Sequence, residues 1–269
     1  VKRTVFLFLA VILLAQAGFA SYISLQTTVK SRVEGNTLTV LISSVNKGDE
    51  PAHSVQAEVR LGKRTAMLSK VQELRVNGTY QARTTFPLAY KVPGEYPLVV
   101  VMHYADANLY PFSALNCQTF AFRSESRISD LFGKMGSATF WEKGRIRLSL
   151  KNMSGDAVQA STYLVVPREI SVAQQRVDML IPAHAGSRAD FELENFSALN
   201  GSSYQVFAVT EHESGGIHQT AITPGMVRLA QARELFGLSY PAILMIMAAL
   251  ALIFFAAQFL GKGKKKAGA

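Results

Sequence analysis

LTVLISSVNKGDEPAHSVQAEVRL, running from Leu38 to Leu61, decides the fold. In its first part Leu38, Val40 and Ile42 alternate with Thr37, Thr39, Leu41 and Ser43. After the turn NKGDEP, Val55, Ala57, Val59 and Leu61 fall on one face, with Ser54, Gln56, Glu58 and Arg60 on the other. A repeat of two is that of an extended strand, so the stretch reads as two antiparallel strands with one dry and one wet face.

Further along, Ile146 to Val166, IRLSLKNMSGDAVQASTYLVV, echoes this stretch, with Asn152 in the place of Asn46 and a Gly-Asp pair in both turns. Tyr96-Pro-Leu-Val-Val-Val-Met is echoed in turn by Tyr204-Gln-Val-Phe-Ala-Val-Thr, and Asp106 and Gly215 fall in equivalent hairpin loops. The separations, 106 residues from 46 to 152 and 108 from 96 to 204, are those of a tandem duplication with small insertions. Between these landmarks, strands are expected at Gln81 to Phe86, at Tyr96 to Tyr104 and in a last pair of runs ending near Phe122. That makes about seven short strands per roughly 100 residues, the spacing of an immunoglobulin-like sandwich. The expected architecture is all-β: two tandem immunoglobulin-like β-sandwiches, 21–123 and 128–224, joined at the polar run Arg123 to Arg127. A connector this short leaves the two a limited range of angles. Ile128 to Phe140 is expected to supply the first strand or two of the second sandwich, and Trp141 to act as a core or interdomain anchor.

At the two ends the pattern changes. Lys2-Arg3 followed by TVFLFLAVILLAQAGFA makes residues 1–20 read as a signal peptide or an uncleaved N-terminal anchor. GMVRLAQARELFG has helix-favouring composition, so 225–237 is expected to be a membrane-proximal helix. Leu238 to Leu260 carries no charge, and 23 residues at ~1.5 Å each give roughly 34 Å, so 238–260 is expected to be a single C-terminal transmembrane helix. Lys262, Lys264, Lys265 and Lys266 make 261–269 a Lys-rich tail on the cytoplasmic side. The expected location is therefore the cell membrane, crossed once near the C-terminus, with the bulk of the chain outside the cytoplasm.

The formal charge of +9 points to nucleic acid only until it is located. Lys2, Arg3 and the four tail lysines are six of the 28 basic residues, leaving 22 against 19 acidic ones. No basic run lies elsewhere, which argues against a nucleic-acid partner. Cys117 is the only cysteine, so no intramolecular disulfide or cysteine-cluster metal site can form, and it reads as a half-buried strand residue.

Chemistry-bearing motifs are sparse. His212 and His218 flank a hairpin tip with Glu211 and Glu213 beside them, the ligand types of a zinc site, against which stands a plain solvated hairpin. No metalloprotease, nucleophile-elbow or phosphate-loop motif is present, so no catalytic residue and no cofactor is assigned. Asn77, Asn152, Asn195 and Asn200 stand in glycosylation sequons, although turns are rich in asparagine in any case. The loop Tyr104 to Phe112, YADANLYPF, carries three rings where the second repeat has HESGGIHQT. Tyr110 and Phe112 are therefore expected to be partly exposed and to contribute to a partner surface, or else to cap the core.

The strand, Asn-containing turn and alternating strand, twice over, resemble the bacterial and archaeal immunoglobulin-like domains of the CARDB type across Tyr22 to Thr223. The resemblance implies an adhesion, spacer or accessory module and brings no catalytic residues. The function expected is a membrane-anchored binding or scaffolding protein for an envelope or cell-surface protein or glycan. The alternative is a metal-dependent module or enzyme centred on the His212/His218 hairpin.

Overall fold

The computed structural model describes residues 22–230, 234–235 and 238–263. The first half folds into β1 (Leu25–Glu34), β2 (Thr37–Asn46), β3 (Ala52–Leu61), β4 (Arg64–Leu74), β5 (Thr79–Pro87), β6 (Gly94–Ala105) and β7 (Pro111–Phe122). These make two facing sheets, ordered β1-β2-β5 and β7-β6-β3-β4, around a core that includes Leu38, Val40, Val59, Leu98, Val100 and Phe122. The second half supplies β8 (Leu131–Met135), β9 (Ser137–Phe140), β10 (Lys143–Asn152), β11 (Val158–Val165), β12 (Ile170–Val172), β13 (Val177–Ile181), β14 (Gly186–Asn195), β15 (Ser203–Ser214) and β16 (Ile217–Leu229). Its sheets run β12-β14-β10-β8 and β13-β11-β15-β16, with β9 lying parallel to the end of β16 and a separate core around Ile146, Leu148, Phe191 and Val206. Each half is thus a β-sandwich of immunoglobulin-like strand order.

The two strands of the opening stretch do not pair with each other. β2 takes its ladder from β1 and β5, and β3 from β4 and β6, so the turn NKGDEP carries the chain from one sheet to the other. Asn46 makes that corner. Fully buried, it donates from Nδ2 to the carbonyls of Glu50 (2.7 Å) and Leu74 (3.2 Å) and accepts at Oδ1 from the Gly48 amide (3.0 Å). Asn152 repeats the device, donating to Asp156 (2.7 Å), Ile181 (3.2 Å) and Pro182 (3.2 Å) and accepting from Ser154 (2.9 Å). Loop carbonyls that no strand can satisfy thus find a partner, as buried backbone groups must. The sequon reading divides accordingly. Nδ2 of Asn152 is buried and engaged, and that of Asn195 donates to Trp141 and Ala198, whereas Asn77 and Asn200 are exposed.

At the C-terminal end the described residues of 225–237, where a helix is expected, are not helical. Residues 225–229 continue β16, held on one side by β15 and on the other by β9, with Val227 and Leu229 buried; pairing on both sides overrides the helical composition. β17 (Glu234–Leu235) and β18 (Leu238–Ser239) form a small ladder, and α1 (Tyr240–Gly263) follows. Leu238 and Ser239 are therefore strand rather than helix. Among the described residues no helix is long and apolar enough to cross a membrane. This corrects the transmembrane helix expected at 238–260 and, with it, the cell-membrane location. The signal-peptide reading of 1–20 and the end of the 261–269 tail lie outside the described residues. Trp141 is 39% exposed, at the surface rather than in a core.

Removing either corner asparagine leaves buried carbonyls unpaired. Asn46→Ala and Asn152→Ala should each lower the unfolding free energy by about 2–4 kcal/mol, read from urea midpoints, against less than about 0.5 kcal/mol for the exposed Asn200→Ala.

Candidate functional site

Midway along β6 and β15 the outward faces are apolar where a solvated strand would be polar. Val99 and Val101 of β6 pack against Val165 of β11 and Phe207 and Val209 of β15, with Leu115, Cys117, Tyr163 and Ile222 half-buried around them. The two sandwiches therefore meet through the outer faces of their larger sheets. At one end of this junction the backbones touch: the His218 amide donates to the Pro93 carbonyl (2.9 Å), and Thr220 Oγ1 donates to that of Glu95 (2.8 Å). A Cβ on Gly94, whose φ is +150°, would meet the His218 carbonyl oxygen at 2.0 Å, so only glycine permits the approach. The His218 ring stacks on Tyr96 at 4.2 Å between centroids.

At the other end, Tyr110 donates its hydroxyl to the Ser197 carbonyl and packs on Phe112 at 5.3 Å. Both rings are half-buried. Through its hydroxyl Tyr110 bridges the sandwiches there. Beside them the Ser113 hydroxyl donates to Glu169 Oε2 (2.6 Å) and accepts from the Arg168 amide (3.1 Å). Glu169 is fully buried, and its Oε1 has no hydrogen-bond partner. Burial pushes its carboxyl up from the ordinary range, against the opposing pull of the Ser113 bond.

Next to this end lies a cleft of about 600 Å³ lined by Glu58, Arg60, Lys70, His103, Leu109 and Arg168, among others. Its floor is the wet face of β3, and Arg168 comes from the second sandwich. Glu58 is the hub, taking Arg60 Nε at 2.6 Å and His103 Nε2 at 2.7 Å. Burial pushes the Glu58 carboxyl up, but the bonds and charges of Arg60 and His103 outweigh it and hold it below its ordinary range.

Two irregularities aim the lining side chains. The ladder between β3 and β4 shifts by one residue between Gln56 and Glu58, placing Leu68 and Ser69 together opposite Ala57. Met67 and Lys70 consequently share the cleft face, which an even alternation would not allow. Tyr80 serves the groups freed by this bulge: its buried hydroxyl accepts from the Ala57 amide (3.2 Å) and donates to the Ser69 carbonyl (2.8 Å). A second shift, between β3 and β6, falls at Ser54, whose φ is +54°.

The histidine pair of the hairpin is separated by register. His212 lies opposite Gln219 and His218 opposite Glu213, so the rings point to opposite faces of the sheet, His212 toward the core and His218 toward the junction. Among the described residues no group of three or more His, Cys, Asp or Glu could hold a metal ion. Burial pushes both imidazoles below their ordinary range and the Cys117 thiol up to about 12. Sequence reasoning had Glu58 and Arg60 on a wet face but missed Lys70, His103, Arg168 and Glu169 as cleft or junction residues. The one available signal was the unbroken apolar run Leu98 to Met102, which marks a strand covered on both faces.

No protein-family model matches the chain, and no curated protein does. Similar solved structures include red sea bream transglutaminase, at 8% identity and TM-score 0.28 over 78% of this chain and 31% of that one. Native alpha-2-macroglobulin from E. coli is another, at 11% identity and TM-score 0.33 over 78% and 17%. A Porphyromonas gingivalis protein of unknown function is covered over 99% of its length and 76% of this chain, at 9% identity and TM-score 0.30. The chain spans less than a third of the transglutaminase and of the macroglobulin, and likenesses of this strength carry no inference about activity.

Two variants test this geometry. Tyr80→Phe strips the bulge of its partner and should cost about 1–3 kcal/mol in urea unfolding. Because the folded Glu169 carboxyl titrates above its unfolded value, its contribution to stability is full at low pH and falls as pH rises through the raised value. Glu169→Gln, which cannot ionise, should therefore gain on the wild type in thermal-unfolding scans as pH rises above the ordinary carboxylate range, and stop gaining once the raised value is passed. A constant difference would show that Glu169 titrates normally.

Proposed function

We propose that the chain is a binding and scaffolding module whose two immunoglobulin-like sandwiches, joined face to face, offer the cleft between them to a protein or glycan partner. The observation that carries this reading is that the cleft is composite. β3, β4 and β6 of the first sandwich supply Glu58, Arg60, Lys70 and His103, and the second supplies Arg168. Sites of this kind favour interfaces between domains, where two independently stable bodies hold side chains in fixed relation. Two further hollows, one over Thr28, Leu41 and Arg83 and the other over Arg145, Ser171 and Glu192, each draw on a single sandwich. An adhesion or accessory role is also what the CARDB-type resemblance implies.

A photo-crosslinking amino acid placed at Lys70 or at Leu109, in the cells that make the protein, should give one discrete adduct. The same probe at the exposed Arg188, on the far side of the second sandwich, should not. Equal labelling at Arg188, or none at the two cleft positions, would move the partner surface elsewhere.

A further inference from the structure

Resting on that reading, we propose that the cleft takes an acidic side chain from an extended segment of a partner protein, gripped between Lys70 of the first sandwich and Arg168 of the second. The charges of the cleft do not cancel. Arg60, Lys70 and Arg168 face it with Glu58 as their only lining carboxylate. Glu58 is already held by Arg60 and His103. Among the described residues neither Lys70 nor Arg168 makes an ion pair. Glu169, the acid beside Arg168, is buried and turned onto Ser113 rather than into the cleft lining. A carboxylate entering between the two free cations would find complementary potential and, at Arg168, a guanidinium suited to planar, two-point recognition.

The uncharged part of the lining favours a peptide over a saccharide. Leu109 is 72% exposed and Met67 53%, with Pro111 beside them. Leu109 has φ +63°, a conformation a leucine rarely adopts. It is kept there by Asp106, whose side chain accepts from the amides of Asn108 (2.9 Å) and Tyr110 (2.8 Å). An exposed leucine held in a strained turn, next to an exposed methionine and an arginine, has the make-up of a protein interface, where Met and Arg are enriched. The one aromatic residue of the lining, Tyr104, stacks on Phe112 at 5.6 Å, leaving no free ring for a sugar to lie on.

The test is fluorescence anisotropy on the full-length chain with a labelled Ala-Leu-Glu-Leu-Glu-Ala peptide, its Gln-for-Glu counterpart, and labelled oligogalacturonate as the saccharide carboxylate. The acidic peptide should bind, weaken as salt rises, and lose at least ten-fold in affinity with either Lys70→Glu or Arg168→Glu. Arg168→Lys should lose less, and Arg188→Glu should change nothing. Both reversed residues are exposed, so the fold survives them, which circular dichroism checks. Equal binding of the neutral peptide overturns the carboxylate assignment and leaves the binding module standing. Preference for oligogalacturonate overturns the choice of a protein ligand. If no probe binds although Lys70 and Leu109 crosslink a partner in cells, the cleft binds by other chemistry. If neither occurs, the module reading fails as well.

Discussion

Two strands with apolar residues on both faces govern this molecule. In an isolated sandwich the outer face of β6 would set Val99 and Val101 in water, and that of β15 would do the same with Phe207 and Val209. Each such side chain, fully buried, is worth roughly 1.5–3 kcal/mol, so setting one face on the other stabilises both sandwiches at once. Gly94 sharpens the contact by letting two backbones meet where any side chain would hold them apart. The cleft, the bridging tyrosine and the buried Glu169 all exist because these faces are joined.

The two sandwiches differ in how they use that face. Counting from the register that sets Gln56 against His103 and Ser161 against Glu211, Glu58 of β3 corresponds to Tyr163 of β11, and Arg60 to Val165. In the second sandwich these positions are apolar and lie in the junction. In the first they are charged and lie beyond its rim, so only part of the outer face of β7-β6-β3-β4 is covered. The same strand positions are thus apolar and covered in the second sandwich, charged and uncovered in the first. A cleft at the boundary is the geometric result.

Much of the fold was legible because it follows from period two and from the repeat. The alternation of Val55, Ala57, Val59 and Leu61 named the core face of β3 outright, and matching Asn46 with Asn152 picked out the two residues that turn the chain between sheets. Alternation is silent on which strand is a neighbour, so β2 and β3 read as partners although they lie in opposite sheets. It is also silent on covering of the second face, which only the run Leu98 to Met102 hinted at. Over 225–229 helical composition pointed the wrong way, since two neighbouring strands were waiting to pair with that segment. A register one residue from the obvious one put His212 and His218 on opposite faces, and no count of sequence separation could supply it.

The cleft was harder to read than the fold because it is made by departures from regularity. Lys70 reaches it through a bulge that exists because Tyr80, from β5, can serve the amide and carbonyl the bulge releases. Ser54 at φ +54° shifts β3 against β6, so that Gln56, Glu58 and Arg60 turn outward while Ala52, Val55 and Ala57 remain in the core. Leu109 projects because Asp106 holds a turn that leucine does not favour. Each depends on a side chain distant in sequence or on a backbone state that residue type alone does not announce. A sheet built only from regular ladders would carry the same core and the same junction. It would lack the displaced residues that give this one a concave, charged surface, and that is where strain accepted by the fold becomes available for recognition.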